Sequence, residues 1–361
     1  MKHNSFQKTI FAITSIMLLS CNSDNDFERI QSGPFTLISH SLEGITVNEF
    51  VIKGDMIFAA TSDGIYSRKI NSTDVRFTSI GLKGKNIQDI HAFTVAELLA
   101  SSVNFGEEKP ETKIYKTTNE GKKWEEYETD FGGAEDSWEG LGDFESVPSQ
   151  PHHLYATGSQ VVAKSIDKGK TWEPIWGDWG MIGSPATMKI KVNPLIPTEI
   201  WGGGQGGIEN GFLFKTKETE QLDYWDNLVP NPTVVKEIVF DRQSPQSIYV
   251  GWEGELSKSM DNGNTWTTLI DRHEEAHFFF GIGISPNNPN LVFAGKWIKG
   301  GQSQPLEIFY SMDKGETWDS HSFQHISEGG IWDLKVVKQG NKDRIFLGLD
   351  KGGITEITFK Q

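Results

Sequence analysis

Three eight-residue segments align without gaps: SIDKGKTW at 165–172, SMDNGNTW at 259–266 and SMDKGETW at 311–318. A weaker copy, TTNEGKKW, lies at 117–124. The tryptophans that end the four copies are 48, 94 and 52 residues apart. The double step predicts a degenerate copy between the second and third, and KTKETEQLDYW at 215–225 fits it. The period is therefore near 47 residues, which indicates one supersecondary unit repeated along the chain.

Each residue type in the repeated octamer has a physical role in a tight turn. The aspartate can accept backbone N–H bonds within its own turn, and the glycine can adopt a positive φ. The threonine favours the strand that follows, and the tryptophan offers a large ring to the neighbouring unit. We therefore predict a structural role, with no part in catalysis, for Asp167, Gly169, Trp172, Asp261, Gly263, Trp266, Asp313, Gly315 and Trp318.

The pattern Ser-x-Asp-x-Gly-x-Thr-Trp resembles the Asp-box, or BNR repeat, of the sialidase, sortilin, xyloglucanase and photosystem II assembly-factor propellers. The copy at 117–124 departs from it, with Thr117, Asn119 and Lys123 in place of Ser, Asp and Thr. The resemblance implies an all-β fold, a single seven-bladed β-propeller of four-stranded antiparallel blades. It also implies that the box hairpins lie away from the ligand face.

Strand, short loop and strand precede each octamer, as in IYVGWEGELSKSMD at 248–261, so the blades can be placed. We predict seven of them, near 45–80, 87–128, 142–176, 187–228, 235–270, 280–324 and 330–360. The early segment Phe35-Thr36-Leu37-Ile38 is predicted to be the outer strand of the last blade, which would close the ring and remove free edges. Residues 33–361 then form one domain.

The first 32 residues differ from the rest. Residues 1–20 combine Lys2 and Lys8 with an apolar run at 10–19, which is typical of a signal peptide. The sequence Leu-Leu-Ser-Cys at 18–21 resembles the lipobox of bacterial lipoproteins, which implies lipidation of Cys21, the only cysteine. The acidic stretch 22–26 resembles the tag of surface-exposed lipoproteins of the Bacteroidetes type. We predict an outer-membrane, surface-exposed protein with a tether at 21–32; the alternative is a secretory signal with a coincidental cysteine.

The net charge of the chain limits the kinds of ligand that the protein can be expected to bind. The net charge of −15 becomes −17 without residues 1–20, whose only charged side chains are two lysines. Such a chain disfavours nucleic acid and other polyanions. Neutral glycans, proteins and Ca²⁺-bridged ligands stay open, although the acidic loop at 133–143 has no calcium-ligand spacing. No cofactor motif is present, so none is expected.

The loops opposite the octamers are rich in tryptophan. They enter each blade or join its second and third strands, and Trp201 is predicted to start one of them. We predict an aromatic funnel that binds a ligand; the alternative is that these rings pack between blades. The candidate ligand-binding residues are Trp138, Trp176, Trp179, Trp252, Arg272, Trp297 and Trp332.

Catalysis is the competing hypothesis, because two carboxyl groups can hydrolyse a glycoside and a histidine beside Arg272 could serve a lyase. The catalytic candidates are Glu139, Asp143, Asp178, His273, Glu275, His325 and Asp333. Sialidases need three arginines around a substrate carboxylate, yet the chain has six arginines and no Phe/Tyr-Arg-Ile-Pro motif. Xyloglucanase-like enzymes place a cleft between two propellers, and this chain has room for one.

The sequence therefore predicts a non-catalytic propeller that binds a polysaccharide or a partner protein at the cell surface. A glycoside hydrolase or polysaccharide lyase is the first alternative. An assembly factor of the photosystem II type, which binds protein, is the second.

Overall fold

The computed structural model describes residues 30–105, 110–127, 143–158, 161–177, 189–205, 210–217, 227–300 and 303–360. Cys21, Trp138, Glu139, Asp178 and Trp179, together with the predicted signal peptide and most of the tether, lie outside the described residues. Within these ranges the one helical segment is a single 3₁₀ turn at His273–Glu275. None of the described residues forms a helix of the length and apolarity needed to cross a membrane.

The described strands form seven separate antiparallel sheets, which confirms the prediction of a seven-bladed propeller. The first strands are β1 (Ile30–Ser32), β2 (Phe35–Ser41), β3 (Val47–Lys53), β4 (Met56–Thr61), β5 (Gly64–Lys69), β6 (Thr78–Gly81), β7 (Ile87–Ala92), β8 (Leu98–Phe105), β9 (Pro110–Thr117) and β10 (Glu125–Tyr127). Blade 1 is β3–β6 and blade 2 is β7–β10.

The middle of the chain continues the pattern with β11 (Phe144–Val147), β12 (Gln150–Gly158), β13 (Val161–Ser165), β14 (Glu173–Gly177), β15 (Lys189–Val192), β16 (Glu199–Gln205), β17 (Gly211–Lys217), β18 (Val235–Phe240), β19 (Ile248–Trp252), β20 (Glu255–Ser259) and β21 (Thr267–Asp271). Blade 3 is β11–β14, blade 4 shows β15–β17 among the described residues, and blade 5 is β18–β21.

The last strands are β22 (His277–Ile284), β23 (Val292–Ile298), β24 (Leu306–Ser311), β25 (Asp319–Phe323), β26 (Ile331–Gln339), β27 (Lys342–Leu349) and β28 (Gly353–Phe359). Blade 6 is β22–β25, and blade 7 is β26–β28 with β2. The ring closes as predicted, because β2 pairs antiparallel with β28, with Phe35 opposite Phe359. Strand β1 pairs with β2 as a fifth strand, so the sheet begins at Ile30, inside the predicted tether.

The octamer turns share one hydrogen-bond pattern between the third and fourth strands of their blades. In the copy at 259–266, Asp261 accepts bonds from the Thr265 backbone N–H at 2.8 Å and from the Thr265 hydroxyl at 2.7 Å. The Gly263 N–H donates to the Ser259 hydroxyl at 2.7 Å. The residue before the glycine also has positive φ, 58° at Asn262, which an asparagine tolerates. The aspartates are therefore occupied within their own turns.

The tryptophan of each octamer packs against the preceding blade, so the turns also join neighbouring blades. Trp124 of blade 2 donates its indole N–H to the Ile80 carbonyl of blade 1 at 2.8 Å. Trp318 of blade 6 packs in a cluster with Tyr249 and Leu269 of blade 5. These turns lie at one end of the strands, which leaves the connections between blades, and those between second and third strands, at the other end. We call that other end the upper face.

Candidate functional site

The innermost strands of the seven blades surround a central channel with a cavity of about 670 Å³. The channel is lined by charged side chains because alternate residues of each inner strand face the axis. Strands β3, β7, β11 and β18 supply acids, and β15 and β26 supply lysines. These channel residues are Glu49, Asp89, Glu145, Lys191, Glu237 and Lys335.

Buried ion pairs balance the charges around the channel. The Lys189 ammonium lies 3.4 Å from Glu49 and 3.5 Å from Asp143, and Lys335 lies 3.0 Å from Glu49 and 2.8 Å from Asp333. Carboxylate oxygens of Glu49, Asp89 and Asp143 all lie within 4.8 Å of one another, close enough to hold a cation. Lys189 already supplies a positive charge beside two of the three.

Two of the catalytic candidates, Asp143 and Asp333, have a structural role in this channel. Each is 2% exposed and accepts a backbone N–H of the next blade: Ile190 donates to Asp143 at 2.9 Å, and Phe50 donates to Asp333 at 2.6 Å. Asp89 accepts the Phe144 N–H in the same way. These carboxylates fasten neighbouring blades together, which corrects the prediction that Asp143 and Asp333 face a ligand.

The channel environment moves the pKa values of its acids in both directions. Burial and the neighbouring Asp143 and Glu49 raise the pKa of Asp89 well above its usual range. Burial, together with Glu49, raises the pKa of Asp333 to about 6. Burial also acts on Glu49, but the nearby lysines outweigh it and hold the pKa of Glu49 far below its usual value.

Glu145 makes the channel pH-sensitive, because burial, opposed by Lys191, raises its pKa from 4.5 to about 7. The folded state then holds this proton more tightly than the unfolded state, so folding free energy is lost through Glu145 as pH rises from about 4.5 to about 7. At pH 8, the free energy of unfolding of Glu145→Gln should therefore exceed that of the parent by about 1–2 kcal/mol. This is less than the full pKa shift would give, because the side chain is partly exposed and solvent screens its charge. At pH 4.5 the two proteins should have nearly equal free energies of unfolding. Urea unfolding at both pH values measures this; an equal difference at the two would contradict it.

The predicted tryptophan funnel divides into buried and surface residues. Trp176, Trp201 and Trp252 are 3%, 0% and 1% exposed and pack within the cores between blades. They belong to strands β14, β16 and β19, whose side chains are covered by the adjacent blade. The prediction that the Trp176 and Trp252 rings are exposed is therefore wrong: both pack between blades, although Trp252 also lines a cavity on blade 5.

Trp297 and Trp332 do meet at the upper face, where they join two phenylalanines. We call Phe278, Phe280, Trp297 and Trp332 the upper aromatic cluster. Phe280 stacks on Trp332 with ring centroids 5.2 Å apart and planes 2° apart, and Trp297 stands edge-on to both. All but Phe278 are half-buried. The cluster spans blades 6 and 7 because β22, β23 and β26 all have an end there.

Polar groups border the upper aromatic cluster. The Trp297 indole N–H donates to Asp350 at 2.9 Å, while the Trp332 indole nitrogen is buried with no partner among the described residues. The Lys236 ammonium lies 5.2 Å from the ring centres of both Phe278 and Phe280 and 2.8 Å from Glu253. Burial lowers the pKa of Lys236, although Glu253 opposes the shift. The cluster therefore offers aromatic faces, one unused donor and one ion pair.

The other predicted residues are scattered along the same face. Arg272, His273 and Glu275 are exposed in the connection from blade 5 to blade 6, where Arg272 lies 3.6 Å from Glu275 and His273 lies 2.9 Å from Asp271. His325 is exposed in the connection from blade 6 to blade 7. In the described part of the chain, these four side chains form no hydrogen bond, ion pair or ring contact with the upper aromatic cluster.

Sequence reasoning missed Phe278, Phe280, Lys236 and Glu253. The segment DRHEEAHFFF at 271–280 enters blade 6, and its three consecutive phenylalanines were a usable signal. Phe278 and Phe280 are two residues apart in β22 and so share one face of the strand, while Phe279 on the other face enters the core between blades 5 and 6. Regular alternation would not have revealed Lys236 and Glu253, which are brought to the cluster from blade 5.

Comparisons with known proteins identify the fold. No protein-family model matches the chain, and neither does any curated protein. Among solved structures, the GH74 xyloglucanase from Xanthomonas campestris is similar, with 13% identity, a TM-score of 0.66, and coverage of 91% of this chain and 54% of that one. YCF48 bound to D1 peptide has 13% identity, a TM-score of 0.62, and coverage of 92% and 99%.

A third similar structure is the extracellular domain of a protein described as a hybrid two component system from B. thetaiotaomicron, with 15% identity, a TM-score of 0.61, and coverage of 90% and 39%. This chain thus spans about half of the xyloglucanase and two fifths of the sensor. All three neighbours share its propeller, at identities that establish the fold alone: the chain is a seven-bladed β-propeller.

Proposed function

We propose that this protein is a non-catalytic binding propeller that holds a neutral polysaccharide on the upper aromatic cluster. The observation that carries the proposal is the set of half-buried, contacting rings of Phe280, Trp297 and Trp332 at the upper face. Aromatic faces stack on the C–H faces of sugar rings, and the unpartnered Trp332 N–H can donate to a hydroxyl. The excess of acids over lysines and arginines, 49 against 34, favours a neutral ligand over a polyanion.

Removing one ring of the upper aromatic cluster should weaken polysaccharide binding. Trp297→Ala and Trp332→Ala are each expected to lower affinity at least about tenfold, since truncation of an aromatic anchor commonly costs 2 kcal/mol or more. Affinity electrophoresis against neutral plant and microbial polysaccharides, followed by calorimetry on those that bind, measures the loss. Met260→Ala is the control, because Met260 is 71% exposed on an octamer turn at the opposite face.

Other ligand classes give distinguishable results in the same experiment. A partner protein, the ligand class suggested by the peptide-bound neighbour, would leave every polysaccharide unbound, and a peptide array on the same variants would then detect it. Release of reducing ends or unsaturated sugars that is lost in Glu275→Gln, a substitution at an exposed side chain, would overturn the non-catalytic proposal and favour a hydrolase or lyase.

We also propose that a lipid on Cys21 anchors the protein to the outer membrane with the propeller facing outward. The support is the Leu-Leu-Ser-Cys sequence at 18–21 and the acidic residues that follow it. Cys21→Ser should move the protein from the membrane to the soluble fraction, because the acyl chains can no longer be attached. Immunoblots of both fractions measure this, and an unchanged membrane fraction would contradict it.

A further inference from the structure

A second cavity lies on blade 5, apart from both the channel and the upper aromatic cluster. It has a volume of about 290 Å³ and lies between the segment Val229–Thr233 and the strands β19–β21. Pro230 and Pro232 stiffen the covering segment, since proline restricts the backbone on both sides of the ring nitrogen. We call this cavity the blade 5 pocket. Its size is at the lower end of the range for small-ligand sites.

Two tryptophans form an apolar wall of the blade 5 pocket. The rings of Trp252 and Trp266 meet edge to face, with centroids 6.4 Å apart. Trp266 donates its indole N–H to the Gly263 carbonyl at 3.1 Å. Trp252 is 1% exposed, and its indole nitrogen is buried without a hydrogen-bond partner in the described part of the chain. A buried donor left unpaired costs free energy, so an acceptor on a bound ligand would repair this one.

The lining of the blade 5 pocket also includes acceptors that neighbouring side chains hold in place. Glu255 accepts the Ser257 hydroxyl at 2.7 Å and the Thr268 hydroxyl at 3.4 Å, which uses two of about four acceptor positions of a carboxylate. His273 Nδ1 lies 2.9 Å from Asp271, and its ring covers Gly254, where an added Cβ would lie 2.2 Å from the imidazole. Asp271 thereby orients His273 and leaves its Nε2 for another partner.

We propose that the blade 5 pocket binds a single neutral sugar ring. An indole wall suits the C–H face of a pyranose, the Trp252 N–H can donate to a ring or hydroxyl oxygen, and Glu255 with His273 can accept from hydroxyls. The carboxylate of Glu255 disfavours an acidic sugar, since like charges repel across an interface. This site does not depend on the proposed function, because the upper aromatic cluster shares no residue with it.

The test is a titration of the purified full chain with methyl β-D-glucopyranoside, methyl β-D-galactopyranoside, methyl α-D-mannopyranoside and sodium glucuronate, followed by tryptophan fluorescence and saturation-transfer NMR. At least one neutral glycoside should bind saturably, and glucuronate should not. Trp252→Phe removes the unpaired N–H and keeps an aromatic ring, so it should weaken binding about tenfold at temperatures well below its unfolding midpoint. The smaller buried ring is expected to lower that midpoint, which is measured separately. Glu255→Gln, at the partly exposed rim, is a second variant with the same expected loss of affinity.

Trp172→Phe is the matched control, because it shortens another buried tryptophan, 8% exposed in the core between blades 2 and 3, outside both the blade 5 pocket and the upper aromatic cluster. Glycoside affinity should be unchanged in it. The proposal is overturned if no neutral glycoside saturates, if Trp252→Phe and Glu255→Gln both bind like the parent, or if Trp172→Phe loses binding as much as Trp252→Phe does. If methyl glycosides still bind to Trp297→Ala although polysaccharide binding is lost in that variant, the blade 5 pocket binds sugar independently of the upper aromatic cluster. If methyl glycosides bind but no polysaccharide binds even the parent, the proposed function fails and the proposal for the blade 5 pocket stands.

Discussion

Glu356→Gln is expected to lower the free energy of unfolding by about 3–5 kcal/mol, because it leaves two buried guanidinium groups without their counter-ion. Glu356 is 0% exposed in β28 of blade 7. It pairs with Arg344 of the same blade and, at 2.6 Å, with Arg68 of blade 1. Arg68 also donates to the Val75 carbonyl at 2.8 Å, so the triad ties blade 7 to blade 1.

The matched control is an arginine–carboxylate pair of the same chemistry on the surface. Arg76 and Asp74 form a two-pronged pair at 2.7 and 2.9 Å, with side chains 69% and 51% exposed. Asp74→Asn should cost less than about 1 kcal/mol, because water replaces the lost partner. Urea unfolding followed by tryptophan fluorescence measures both variants. Equal losses of unfolding free energy in Glu356→Gln and Asp74→Asn would show that burial does not determine how much the Glu356 triad stabilises the fold.

Phe35→Ala is the second large effect, with an expected loss of about 3–5 kcal/mol from the cavity it leaves. Phe35 is 0% exposed in the closing strand β2. Its ring contacts Phe359 of blade 7 at 5.2 Å and Tyr310 of blade 6 at 5.5 Å between centroids. The closing blade is thus held on both faces, by this aromatic cluster towards blade 6 and by the Glu356 triad towards blade 1.

Loss of the Phe35 side chain should therefore weaken the pairing of β2 with β28 that closes the propeller, in addition to lowering the free energy of unfolding. Limited proteolysis of Phe35→Ala is expected to cut first between Ser41 and Val47, where β2 leaves for blade 1. Phe35→Leu keeps most of the apolar volume and should cost less than about 1.5 kcal/mol. Leu195→Ala, at a turn residue that is 45% exposed, controls for the loss of an apolar side chain without burial. First cleavage elsewhere in the chain would contradict this account of closure.

The fold could be predicted because its signal is local. Each octamer encodes a turn whose bonds run within eight residues, as from Thr265 to Asp261, and the spacing of these turns sets the blade period. The closing strand at 35–38 was predictable because a blade with three strands must find a fourth. The predicted boundaries of blades 1–3 and 5–7, and the predicted start of blade 4, agree with the described strands to within a few residues.

The candidate site could be predicted only in part. Trp297 and Trp332 lie near loop sequences, and their rings lie at the upper face. Trp176 and Trp252 lie near similar sequences, yet their strands turn them towards a neighbouring blade. A difference of one position in strand register moves a side chain from one face to the other, and bulges such as the one at 278–281 change that register without a clear sequence mark.

The amino-acid sequence by itself determined the number of blades, the turn chemistry and the end of each blade from which the variable connections emerge, because these depend on residues close together in the chain. Only the tertiary structure decided which tryptophans are buried, which acids fasten blades, and which partners meet across the ring. Arg68 and Glu356 lie 288 positions apart. Their pairing, like the meeting of Phe280 with Trp332, follows from how the blades pack around one axis, and no local pattern records that packing.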